Sequence, residues 1–295
     1  MINLRYKPTA AEVVSRLRSL YDRQAPDRIF ATFKVPSVAI DQFAQQYPEG
    51  RCECPNLDER IEFWDRHLSG RARLEDDSIP SAYLSELDQG LYGGVLGGEV
   101  EFMAHPDNGW ISSMVAPLLD DLSKFDALSF DESSDWFQRY LRQLDVFVQG
   151  AGDKFGISHF ILIDSLNLVF ELIGATDTYM SLIEEPELVR RAIDFAFDLN
   201  VKIQETFFDK VGLLADGTAS NMVQWIPGRI VSESVDPFHM TSVDYFETWG
   251  REPVERILGQ FDGGVSHIHG TGRHLMEAAS TIRGLEAISL AADPG

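Results

Sequence analysis

The sequence predicts an α/β fold of the (β/α)8 barrel type, with one domain spanning residues 1–295 and a helical extension at its N-terminus. Three observations predict it. Strand-like apolar runs alternate with amphipathic helices, the order that builds a parallel sheet with helical crossovers. The 295 residues suit a single barrel, a fold that occupies roughly 250 residues or more. A late strand candidate ends in His267-Ile268-His269-Gly270, and barrels keep their working groups at such strand ends.

Taken in order, Ala10 to Asp22 carries Val13, Val14, Leu17 and Leu20 at helical spacing, with Arg16, Arg18 and Arg23 facing away. Pro26-Asp27 ends this helix, and residues 29–35 read as a short strand. Residues 46–60 are loop-like. Glu59 to Leu68 forms a second amphipathic helix on Ile61, Phe63, Trp64 and Leu68. Gly90, Gly93, Gly94, Gly97 and Gly98 break a helix ahead of a strand over 100–104. Residues 110–128 read as irregular and acidic, and 131–151 as a helix built on Trp136, Tyr140, Leu144 and Phe147.

The run Phe160-Ile161-Leu162-Ile163 ends at Asp164, the pattern of a strand buried on both faces. A short helix over 177–183 follows. Pro186, tolerated in a first turn, then opens a long helix with a stripe of Ala192, Ala196, Leu199, Ile203 and Phe207. Strands are expected over 211–216 and 229–233. Thr241 or Ser242 caps a helix with Asp244 in its first turn, continued over 254–261 beyond Pro253. A strand over 265–269, a helix over 275–282 and a strand over 285–290 complete the chain. About seven strands result, so either one goes unrecognised or the last β/α unit lies beyond Gly295.

Lys and Arg number 25 against 47 Asp and Glu, a net charge of −22 that repels phosphate backbones and anionic membranes. Neither nucleic acid nor a membrane is therefore an expected partner. Cys52 and Cys54, one residue apart, imply no disulfide framework and read as small loop residues rather than soft metal ligands. The N-terminus lacks an apolar signal region, and no stretch of about 18 apolar residues occurs, so a soluble cytoplasmic protein is expected. The glycine-rich stretch lacks the Lys-Ser/Thr of a phosphate loop, and no Gly-x-Ser-x-Gly elbow is present.

His267 and His269, two apart on a strand, leave the same face. Two imidazoles there suit a divalent ion such as zinc, although a pair of structural histidines reads equally well. A third ligand must come from another strand end. Asp293 is best placed, with Glu233, Asp236 and His239 as alternatives or as partners that fix a histidine tautomer. His274 reads as a surface residue. Asp164 and Asp236 are the candidate catalytic carboxylates; Asn167 reads as a helix cap.

Several segments together resemble the uroporphyrinogen decarboxylase superfamily, which includes zinc-containing, corrinoid-dependent methyltransferases. These are Arg16-Leu17-Arg18-Ser19-Leu20 with Pro26-Asp27-Arg28; the run Leu91 to Phe102; Trp110 with Pro117; and Phe170 to Gly174 with Glu185-Pro186-Glu187-Leu188-Val189. Thr241 to Phe246 with Pro253 is similar to a Ser-Pro-x-x-Phe…Pro helix, and His267-Ile268-His269-Gly270 to a His-x-Cys-Gly strand end. The resemblance implies a barrel enzyme, with zinc as metal, a methyl donor corrinoid on a partner protein, a thiol acceptor and a homodimer. His269 stands where the methyltransferases have a ligand cysteine, and their later cysteine falls beyond Gly295. The Met-Arg-Gln-Ala-Gly-Arg-like substrate motif of the decarboxylases themselves is missing, which disfavours porphyrinogen decarboxylation. Action on another carboxylated or tetrapyrrole substrate, non-catalytic tetrapyrrole or corrinoid binding, and metal-dependent hydrolysis are the alternatives.

Overall fold

A computed structural model describes residues 2–26 and 28–290, so Asp293 lies outside the described residues. Its architecture is mixed α/β. Among the described residues ten strands run in chain order: β1 Arg51–Cys52, β2 Ser81–Tyr83, β3 Val100–His105, β4 Trp110–Val115, β5 Gly156–Ser158, β6 Gly217–Ser220, β7 Gln224–Pro227, β8 Ile230–Ser234, β9 Gly263–Ile268 and β10 Leu285–Leu290. The principal helices are α1 Ala10–Tyr21, α2 Val38–Gln46, α3 Leu57–Ser69, α4 Gly90–Gly94, α5 Asp135–Ala151, α6 Ser165–Ile173, α7 Ala175–Glu184, α8 Pro186–Val211, α9 Val243–Trp249, α10 Arg251–Gln260 and α11 Met276–Ala279.

The parallel core is built from short strands. β8, β9 and β10 form one parallel sheet with β9 central, and β2 pairs with β5 in another. The apolar run after β5 reaches β8: Ile161 bridges Ser232, and the Leu162 amide donates to the Ser232 carbonyl at 2.8 Å. Residues 156–163 thus touch β2 at their start and β8 at their end. A closed eight-stranded barrel is not formed among the described residues, because the strands divide into four small sheets. None of the described helices is long and apolar enough to cross a membrane.

Several expected elements differ, each for a local reason. Residues 29–35 run extended but pair with no strand, since the Ala31 and Phe33 amides donate to the Asp77 and Asp76 carboxylates. Those carboxylates also hold Arg16, Arg71 and the buried Lys7. Residues 110–115 form β4, antiparallel to β3; its buried Ile111 and Ser113 alternate with more open positions, a pattern masked by two serines. The long helix α8 continues to Val211, so the strand expected over 211–216 begins only at Gly217. The helix expected over 275–282 shrinks to a 3-10 turn over Gly270–Leu275 and the single turn of α11.

Alternation gives the β8–β9 sheet two distinct faces. Val231, Glu233, Gly264, Ser266 and Ile268 point toward α8 and α10, where a Cβ on Gly264 would meet Leu258. Ile230, Val265 and Ala287 point the other way and pack with Ile226, Met222 and Tyr21. Ser232, Ser234 and His267 follow on that second face, toward the C-terminal strand ends.

Candidate functional site

The ends of β8 and β9 bring four chemically active side chains together. Ser234 pairs with His267 in the parallel register, and β8 then turns through Asp236-Pro237-Phe238 into His239. Strand β9 ends one residue before His269, whose ring centroid lies 4.5 Å from that of His267 and 5.8 Å from that of His239. Asp236 sits between two of the rings: its Oδ1 is 3.4 Å from His239 Nδ1 and 3.9 Å from His269 Nε2. His239 is buried, whereas Asp236 and His269 stay partly open. Burial lowers the His239 pKa, with Asp236 opposing that shift and His269 adding to it, so a neutral ring is favoured.

Neutral imidazoles beside a carboxylate are the chemistry of a borderline divalent ion. Ligand atoms about 2.0–2.1 Å from a tetrahedral ion lie roughly 3.3 Å from one another. The 3.4 and 3.9 Å separations around Asp236 approach that spacing. His239 Nε2 and Asp236 Oδ1 are also enclosed without a hydrogen-bond partner. Among the described residues, however, no three His, Cys, Asp or Glu side chains already converge as a metal centre. Asp293, the expected third ligand, lies outside those residues.

The other sequence candidates occupy different places. Asp164 is fully buried at the N-cap position of α6, makes no side-chain cap bond, and faces Glu233 behind the sheet. Asn167 caps nothing; its amide donates to the Ser234 carbonyl at 2.9 Å and so ties α6 to the end of β8. His274 is exposed, with Nε2 2.9 Å from the Thr241 carbonyl. Cys52 and Cys54 are free thiols on and after β1, on different elements from the histidines.

Two carboxyls escape sequence reasoning. Asp88 follows β2, and burial together with the Asp236 charge raises its pKa to about 7. Glu171 on α6 rises to about 8 through burial and the Asp88 charge. Asp88 Oδ1 and Glu171 Oε2 are both enclosed without partners. Asp88 offers only a carboxylate beside a glycine run. Glu171 carries a clearer signal, as the one charged residue in Ser165–Ile173.

No protein-family model and no curated protein sequence matches the chain. Among solved structures, a methyltransferase from Methanosarcina mazei shares the fold with a TM-score of 0.60 at 12% sequence identity. The match covers 97% of this chain and 76% of that one. At this identity the likeness concerns the fold alone.

Proposed function

We propose that the chain is a methyltransferase of the uroporphyrinogen decarboxylase superfamily, built on a barrel-type arrangement. In this reading it transfers a methyl group from a corrinoid on a partner protein to a thiol acceptor. The proximity of Asp236, His239, His267 and His269 at adjacent strand ends carries the reading. The shared fold with a methyltransferase supports it. His267 and His269 would hold zinc, with Asp236 or His239 completing the donor set from β8 and Asp293 available from the chain end. Zinc bound there supplies a positive charge that keeps a thiol acceptor ionised. Asp236 orients the rings that flank it, and burial keeps His239 neutral and able to donate its lone pair.

Elemental analysis of the purified protein, followed by methyl transfer from methylcobalamin to small thiols, tests the proposal. About one zinc per chain is expected, with His267→Ala and His269→Ala losing metal and at least about 100-fold in rate. Absence of bound metal together with unchanged transfer in His267→Ala refutes it.

A further inference from the structure

Behind the strand ends lies a carboxyl pair that the proposed transfer does not use. Glu233 is 0% and Asp164 1% exposed. Glu233 occupies the face of β8 turned toward α8 and α10, opposite Ser266 on β9. Both Glu233 carboxyl oxygens, Asp164 Oδ1 and Ser266 Oγ lack hydrogen-bond partners. Two full negative charges in such an enclosure are strongly disfavoured, whereas one proton held between the carboxyls satisfies an oxygen of each.

The surrounding charges offset the pair only in part. Arg256 on α10 lowers the Asp164 pKa without reversing its rise; its Nη1 is bonded to Asp194 at 2.7 Å, and its Nε and Nη2 are enclosed without a partner rather than bonded to either carboxyl. Asp236, at the end of β8, adds negative charge against Glu233. Tyr92 on α4 lies within range of both carboxyls; its hydroxyl donates to the Ile161 carbonyl at 3.3 Å and accepts from Gln204 at 3.1 Å.

We propose that Asp164 and Glu233 share one proton, and that the shared proton latches the start of α6 to the end of β8 beneath the Asp236–His239 segment. Glu233 O–H donates to the Asp164 carboxylate. The join is under local strain: Ser165, the next residue, holds a left-handed φ of 47° without being glycine. The Asn167 bond to Ser234 spans the same two elements, so the latch and this amide hold one joint. Burial raises the Asp164 pKa to about 6 and the Glu233 pKa well above the ordinary glutamate range, where the Asp164 charge also acts. The native pair therefore keeps a proton that the unfolded chain releases earlier. Stability from the pair is complete at low pH and is lost as pH rises through the native values.

The experiment compares the wild type with Glu233→Gln, whose amide donates to Asp164 at every pH. It requires no metal and no substrate, so its result is independent of the proposed methyl transfer. Melting temperature of the wild type should fall as pH rises from about 6 to about 9, more steeply than that of the variant. Amide exchange over residues 231–239, corrected for its intrinsic pH dependence, should accelerate at least about tenfold in the wild type and stay constant in the variant. The infrared difference spectrum at neutral pH should show loss of one protonated carboxylic acid. Parallel melting profiles, or no such loss, overturn the proposal. Should Glu233→Gln fail to fold, Asp164→Asn supplies an equivalent donor and serves instead. Failure of both amides to fold also overturns it.

Discussion

Gly272 gives access to the site without replacing a proposed ligand. It lies in the 3-10 turn after His269, and its amide donates to the His269 carbonyl at 2.9 Å. A methyl group added there would overlap the His239 ring at Cδ2 and Nε2. Gly272 does not use a left-handed backbone conformation, so alanine adds no backbone strain and the clash is the principal effect. Restoring ordinary carbon contact requires the ring to move about 1.5 Å, which disturbs the placement of Nδ1 beside Asp236. Overpacking of this kind costs about 2 kcal/mol. For a chain of 295 residues the melting temperature should then drop by roughly 3–4 °C. If His239 supports the metal, zinc affinity measured by competition with a chromophoric chelator should fall about 10- to 100-fold. Gly259→Ala is the control, because nothing lies within 4 Å of a Cβ at that α10 position. The control should be neutral or slightly stabilising. A Gly272→Ala protein that melts within about 1 °C of wild type and binds zinc equally well would refute the placement of His239.

Two further outcomes concern the scaffold. Lys7 is fully buried and donates to Asp76 Oδ1 at 2.7 Å and to the Leu74 and Asp76 carbonyls. Lys7→Met should cost about 3–5 kcal/mol by leaving buried acceptors unpaired, read as a lower urea midpoint at unchanged m-value. His159, buried beside Phe207, has its pKa pushed down by burial to about 4. The native state then takes up this proton later than the unfolded chain on acidification, so stability is lost as pH falls from about 6.5 to about 4. His159→Phe should recover about 3 kcal/mol of the difference between unfolding free energies at about pH 7 and pH 4. An acid limb identical to that of wild type would contradict it.

Periodicity carried much of the fold. Helices α1, α3, α5 and α8 were legible because each buries one stripe of a 3.6-residue repeat, and β9 and β10 because their apolar runs sit between turn signals. Partnership was not legible. Residues 29–35 have strand composition, yet their amides are captured by Asp76 and Asp77 from 43 to 46 positions away in sequence. Residues 110–115 have serines in mid-strand, yet pair because β3 supplies an antiparallel edge.

The same division runs through the site. Sequence alone determined that His267 and His269 share one face at a strand end, since alternation along a strand is local geometry. It also named Asp236 and His239 among the possible partners. Only the tertiary structure decided that Asp236 stands between two rings, because the approach of β8 to β9 depends on register between segments some thirty residues apart. Asp164 and Glu233 show the reverse: both read as strand-end polar groups, and packing against α8 and α10 enclosed them together. Burial and charge proximity arise from chain segments meeting in space, and they set whether a carboxyl coordinates, holds a proton or faces water.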